Sequence, residues 1–403
     1  MVRTRATVRD LRKQNRSVLL TALFLDGPLS RQQLSASTGL SAATASTITG
    51  ELLDEGLLVE AGSVESDGGR PRVLLRVNPA FGHVIGVDVG ETGIKVELFD
   101  LAMTRLSTVD RPLGFVEPVA VSELIASGVG EVLAATGVAA SSVLGVGVGV
   151  PGTVERGTSA VVHAQTIGWD AVPLEKMIRE AGVEPPLFVE NGAKTQGQAE
   201  MWFGAGRGAG HAVIVLVGSG VGVAVVTDGV VHRGATSNAG EWGHTTIVYG
   251  GRRCRCGVRG CLEAYAGAEA MLARYREALR RNDPEVDQQS ALEALLSSRS
   301  AVARRVVDES VGYLGAGIAN LVNLFNPERV VLGGWAGLVL GARKLDEIVA
   351  ATADHALRHP YGRVRIELGR TGPDAVAVGA ATLPVAALLD SGADPRSARV
   401  SGF

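Results

Sequence analysis

Glu241-Trp242-Gly243-His244 is followed, nine residues on, by Cys254-Arg255-Cys256-Gly257-Val258-Arg259-Gly260-Cys261-Leu262-Glu263. The chain's three cysteines all fall in this stretch. They cannot form a disulfide framework, and such clustering points to a metal in a reducing compartment. Three thiolates and the imidazole of His244 make a Cys₃His set, the usual composition of a structural Zn²⁺ site. Four protein ligands leave no open position for a catalytic water. The glycines let the chain turn tightly around an ion. The alternative is three reduced, unligated cysteines beside an unrelated histidine.

Upstream of this loop the chain reads as strands alternating with helices, an α/β pattern. Strands are predicted over His83 to Asp88, Ile94 to Phe99, Leu144 to Val150, Leu187 to Val189, Val213 to Val217 and Val221 to Val226. Downstream, helices are predicted over Leu262 to Arg281, Ala291 to Leu296 and Ala301 to Leu324. The last leads through Asn326-Pro327 and a strand at Val330 to Leu332 into Gly333-Gly334. Glycine-rich turns follow strand ends, where α/β sheets place ligands. Hairpins near Asp88 and Ser219 suggest a duplicated strand-turn-strand unit. Ser391 to Phe403 reads as a poorly ordered tail.

The amino-terminal segment differs. A helix is predicted over Asn15 to Phe24, stopped by Gly27-Pro28. Ser30 with Gln33 forms a capping-box pattern for a second helix ending at Gly39. Ser41 caps a third, in which Ala45, Ile48 and Leu52 share one face. This is a helix-turn-helix pattern. Strand-like residues around Leu57 to Glu60 and Arg72 to Val77, joined by a polar tip from Ser63 to Gly69, complete a wing. Asn78-Pro79 marks a boundary.

The 403 residues are 46% apolar and 20% charged, with 39 basic against 42 acidic side chains, so the whole is no polycation. Residues 1–33 nevertheless carry seven basic residues (Arg3, Arg5, Arg9, Arg12, Lys13, Arg16, Arg31) against Asp10 and Asp26, a net +5. A basic arm on a near-neutral protein points to a polyanion contacted by one end. Double-stranded operator DNA is the expected partner. Ser41, Ala43, Thr44, Ser46 and Thr47 are expected to face the major groove, where small side chains allow close approach. Arg31 adds charge nearby. Gly69-Arg70-Pro71-Arg72 resembles an AT-hook core, placing Arg70 and Arg72 at a minor groove; a plain domain linker is the alternative. Nothing resembles a signal peptide, and the longest apolar run, Ala212 to Val226, is too short to span a bilayer. A cytoplasmic protein is expected.

Taken together, the Glu-Trp-Gly-His and cysteine motifs, Gly86-Val87-Asp88-Val89-Gly90, Gly218-Ser219-Gly220-Val221-Gly222 and Asn320 to Gly334 resemble the ROK family (repressors, open reading frames and sugar kinases). The likeness covers nearly the whole chain. It implies an α/β fold with an N-terminal winged helix-turn-helix, followed by a two-lobed actin/hexokinase-like (ribonuclease H-like) ROK domain. The implied divisions are 1–80 for DNA binding and linker, 81–190 plus 372–403 for one lobe, and 191–371 for the other. It also implies sugar contacts from Asn191, Glu241, His244 and Glu263, with His244 shared between metal and sugar. Carboxylates and an amide suit hydroxyls that both donate and accept.

Two departures argue against catalysis. Family kinases carry Asn-Asp where this chain has Asn191-Gly192, and that aspartate is the general base. Losing a positioned base costs about 10²–10⁴-fold. Glu91 replaces a phosphate-motif glycine, and its carboxylate would repel a phosphate. A non-catalytic, sugar-responsive repressor is therefore expected, as a homodimer or homotetramer on its operator. Gly192 and nearby Lys194 suggest that a sugar phosphate is tolerated as effector. A sugar kinase with an accessory DNA-binding domain, a regulator controlled by a phosphotransfer protein, and an activator are the alternatives.

Overall fold

The first helix begins with a capping box that the apolar periodicity does not reveal. In the computed structural model, which describes residues 7–66, 69–113, 116–157, 159–281 and 287–393, the Thr7 hydroxyl accepts from Asp10 N and the Asp10 carboxylate accepts from Thr7 N. Helix α1 (Val8–Asp26) thus starts seven residues before the expected Asn15. Strand β1 (Leu29–Ser30) leads into α2 (Arg31–Thr38), with Ser30 and Gln33 capping as expected and Gly39 closing it in the left-handed region. Ser41 caps α3 (Ala42–Asp54) through Thr44 N, and Ala45, Ile48 and Leu52 are buried. The wing strands β2 (Leu58–Ser66) and β3 (Gly69–Val77) reach further toward the tip than their composition suggests. Cross-strand pairing supplies what propensity lacks there, and β1 adds a third strand to the ribbon.

The next sheet holds β4 (His83–Val89), β5 (Gly93–Asp100) and β6 (Arg105–Pro112), then α4 (Pro118–Thr136) and β7 (Val143–Val150). A small three-stranded insertion of β8 (Thr153–Glu155), β9 (Val161–Ala164) and β10 (Trp169–Val172) follows. Then come α5 (Leu174–Glu180), β11 (Leu187–Asn191) and α6 (Gly192–Phe203). The strand order is β11-β7-β4-β5-β6, parallel on the β11 side and antiparallel on the β6 side. Helix α4 is long and apolar enough to cross a membrane. Its buried residues Val121, Ile125, Val129 and Val132 belong to the core on this sheet.

A second sheet repeats the plan. It contains β12 (Ala212–Val217), β13 (Val221–Thr227) and β14 (Val230–Val231). After them come α7 (Glu263–Ala266), α8 (Ala268–Leu279), α9 (Gln288–Ser297) and α10 (Ala301–Phe325). The chain then adds β15 (Arg329–Gly333), α11 (Trp335–His355), α12 (Arg358–Tyr361), β16 (Arg365–Leu368) and α13 (Ala375–Asp390). Its order, β14-β13-β12-β15-β16, has the same hairpin and parallel neighbours around its first strand as the earlier sheet. The duplicated hairpin expected from sequence is present. The helix expected from Leu262 to Arg281 is instead broken at Gly267, because Ala268 N binds Gly218 O and anchors the second glycine turn.

Helix α13 returns to the first sheet and lies against β4 and β7. Gly86 and Gly147 permit this. A Cβ on either would stand under 2 Å from the carbonyls of Ala377 and Ala380. Leu19, Leu20 and Leu23 of α1, Leu34, Ile48 and Leu52 share one core with Val84, Phe99, Val385 and Leu389. The N-terminal winged helix-turn-helix is therefore packed onto the α/β body. Ser391 to Ala393, expected as tail, are buried, and Gly392 O accepts from Arg16 Nε at 2.7 Å. Residues 394–403 lie outside the described residues.

Candidate functional site: a cleft beside a cysteine loop

Between the two sheets lies a cleft of about 720 Å³. The β4–β5 turn, the β7 end, the β11–α6 junction, the β12–β13 turn and Glu241 to His244 line it. Asn191, Glu241, His244 and Glu263, far apart in sequence, all face it. Glu263 is buried, with Oε2 accepting from Val221 N at 3.1 Å. Burial pushes the Glu241 carboxyl above the usual carboxylate range, while His244 and Lys194 pull it down. Asn191 is engaged at both ends of its amide. Oδ1 accepts from Lys194 N at 3.1 Å as the α6 cap, and Nδ2 donates to Gly152 O at 2.6 Å. A second lone pair and a second N–H are left for a ligand.

His244, Cys254, Cys256 and Cys261 offer donor atoms all within 4.8 Å of one another. His244 Nδ1 lies 3.7 Å from Cys254 Sγ, leaving Nε2 as the ring's other donor. Burial pushes the Cys254 and Cys261 thiols up. A divalent cation reverses that preference by binding the thiolates. The donor set fits a closed tetrahedral ion.

Gly192 opens α6 at the cleft wall. A Cβ there would meet only Val150 O and Val376 Cγ1, both at 3.6 Å, which is ordinary contact. Packing does not demand glycine. Glu91 behaves differently from the bare repelling charge expected. Arg255, between two of the cysteines, binds it through Nη1 at 2.5 Å and Nη2 at 3.1 Å, and also reaches Glu263 and Glu269. Burial opposes the charge on Arg255, and the bonds to Glu91 more than offset it. An ion pair thus joins the first glycine turn to the cysteine loop. The sequence reading passed over Arg255 as a spacer. Its partner is 164 residues away, and no local pattern links them. Trp335 was likewise passed over. It follows Gly333-Gly334, lines the cleft and packs beside Gly218.

Lys194 does not serve the cleft as expected. It is buried, and its ammonium donates to Ser237 O. The α6 turn points it away from the cleft lining, so the cation invoked for a sugar phosphate is missing there. Asp88 does line the cleft; burial pushes its carboxyl up to about 7, and Lys95 opposes the shift while Asp374 and Glu97 add to it.

At the DNA-binding end, Ser41, Ala43, Ser46 and Thr47 are exposed on α3, and Thr44 is half-buried with its hydroxyl 2.8 Å from Ser41 Oγ. Arg72 is exposed on β3, and Arg70 sits on the same strand. Arg31 is held by Thr49 Oγ1 at 3.0 Å. Arg12 pairs with Glu51, and Arg16 with Glu51 and Glu55. Much of the basic arm is therefore helix α1, and Arg12, Arg16 and Arg31 brace α3. Arg3 and Arg5 lie outside the described residues.

Comparison with known proteins agrees with this geometry. The ROK family model matches residues 84–386. The xylose repressor of Caldicellulosiruptor bescii is 29% identical over 94% of this chain and 97% of its own. A glucokinase of Halalkalibacterium halodurans is 34% identical over 62% of this chain and 79% of its own. Among solved structures, a ROK family transcriptional regulator homologous to the E. coli MLC protein superposes with a TM-score of 0.77 at 25% identity. That match covers 96% of this chain and 99% of the other. With the paired sheets, the cleft between them and the cysteine loop beside it, a match over most of the chain makes this protein a member of the ROK family.

Proposed function

We propose that this chain is a sugar-responsive transcriptional repressor whose cleft binds a sugar without phosphorylating it. The observation that carries the reading is Gly192, a base position without a side chain although the site has room for one. Glycine has no group to take a proton from a sugar hydroxyl. The Glu91–Arg255 pair occupies the approach of a phosphate. Glu241 and Glu263 accept from the sugar's hydroxyls, and His244 and Asn191 complete the ring of contacts.

His244, Cys254, Cys256 and Cys261 would hold one Zn²⁺, supplying a fixed loop and a fixed histidine tautomer rather than chemistry on the ligand. Ser41, Ala43, Ser46 and Thr47 would read the operator's major groove, with Arg70 and Arg72 at the minor groove. A homodimer would place two recognition helices one helical turn or a multiple apart. The cleft lining is rich in carboxylates, and its cations Lys95 and Arg111 are paired with Asp374 and Glu131, so a neutral sugar is favoured over a phosphorylated one. Xylose is the first to test, from the repressor relative.

The experiment is operator binding with and without a sugar panel, beside a coupled ATP assay. Release of DNA by one sugar with no sugar-dependent turnover supports the reading. Turnover at an enzyme's pace, lost in Glu241→Gln, replaces it with a sugar kinase carrying a DNA-binding domain, the reading the glucokinase relative favours.

A further inference from the structure

The cleft is larger than one sugar ring needs. Its volume of about 720 Å³ lies in the range of about 300–1,000 Å³ that holds drug-sized ligands. Its polar groups form two sets. Glu241 has His244, Lys194 and Glu263 as charged neighbours. Asp88 has Lys95, Asp374, Glu97 and Asp110. The expected sugar contacts belong to the first set, and the second is left without an occupant in the proposed function.

The β12–β13 turn connects the two ends. Glu263 meets it at Gly220, where a Cβ would stand 2.4 Å from Oε2. Trp335 meets it at Gly218, where a Cβ would stand 3.3 Å from the indole Nε1. Two residue steps span at most about 7 Å, so the indole stands beside the group of sugar contacts. The backbone delivers it there. Gly334 has φ 77°, and a Cβ on it would stand 2.5 Å from Val217 O. Only glycine lets the chain press onto β12 just before α11 begins. The indole is half-buried and packs on the core of the second sheet. Among the described residues it is the only indole or phenyl ring in the cleft lining. Its Nε1 makes no hydrogen bond to a described residue.

An indole offers a broad apolar face and one N–H donor. A sugar ring offers an apolar C–H face and hydroxyls at its edge, and the two match. Asp88, Glu91 and Asp110 line the same end of the cleft and are acceptors for hydroxyls. They repel a triphosphate, because Lys95 is already paired with Asp374 and Asp110.

We propose that the ligand of this cleft is an oligosaccharide, with one ring held by Asn191, Glu241, His244 and Glu263 and the next stacked on Trp335. The inference rests on the sugar reading above and adds the second ring.

The test is calorimetry on the full chain with xylose, glucose and N-acetylglucosamine beside xylobiose, cellobiose, maltose and diacetylchitobiose, and with ATP. At least one disaccharide is expected to bind about tenfold more tightly than its monosaccharide. Trp335→Leu keeps apolar bulk without a flat ring. It is expected to remove that gain and leave the monosaccharide's affinity unchanged, which also shows that the variant is folded. Trp335→Phe, which keeps a flat face, is expected to retain most of the gain, and Glu241→Gln to weaken both sugars. Monosaccharide binding with no tighter disaccharide overturns this inference and leaves the sugar reading standing. So does a gain that survives Trp335→Leu, or a loss there shared equally by both sugars. Saturable ATP binding lost in Trp335→Leu also overturns it and gives this end of the cleft to a nucleotide. A panel in which no sugar binds removes the sugar reading, and this inference with it.

Discussion

On the proposed reading, replacing Gly192 by aspartate restores the carboxylate that a sugar kinase would use as its base. The added Cβ would lie 3.6 Å from Val150 O and Val376 Cγ1, so no backbone has to move. Lost freedom of the unfolded chain contributes about 0.4–1 kcal/mol. A carboxylate in the first turn of α6 contributes about 0.3–1 kcal/mol more. Repulsion from Glu241 across the cleft takes part of this back, leaving a net gain of about 0.5–1.5 kcal/mol. For a chain of this size that raises the melting temperature by about 0.5–2 °C. Differential scanning calorimetry of the two proteins reads it directly. Turnover is expected only when the ion-pair plug is also removed. Gly192→Asp with Glu91→Gly should show sugar-dependent ATP consumption above the parent, a restored base being worth about 10²–10⁴-fold. A melting temperature that falls by several degrees in Gly192→Asp would mean that packing requires the glycine. The account of a vacated catalytic position would then be wrong.

Elemental analysis should find about one zinc per chain, lost in Cys261→Ser, and a chelator should lower the melting temperature. Arg16→Ala, which strands Glu55, leaves Glu51 with Arg12 alone and frees Gly392 O, should cost about 1–3 kcal/mol by denaturant titration. Asp88 titrates near 7 in the folded chain against 3.8 unfolded. The folded state holds the extra proton between these values, so its contribution to stability falls as pH rises from about 4 to 7. Asp88→Asn should flatten that slope in pH-dependent melting curves, and an unchanged slope would remove Asp88 as its source. Arg72→Ala should weaken operator binding, more on A·T-rich than on G·C-rich flanks, in a gel-shift series.

Local chemistry is what the linear chain carried by itself. The capping box at Ser30, the N-cap at Ser41, the apolar face of α3, the hairpins at Asp88 and Ser219 and the Cys₃His spacing depend on neighbours a few residues apart, and each is where sequence places it. The four expected sugar contacts needed a whole-chain motif, because they converge from distant elements. What sequence could not decide rests on groups brought together only by the fold. The Thr7 box extends α1 and turns an expected arm into a brace. Lys194 faces inward because Asn191 caps α6 and its first turn carries the side chain toward Ser237. Glu91 finds Arg255, and Glu190 gathers Arg156 and Arg233 from two sheets. An ion pair between residues far apart leaves no periodic trace in either segment, since its energy depends on distance and burial in three dimensions. Those were decided by the packing of two sheets around one cleft.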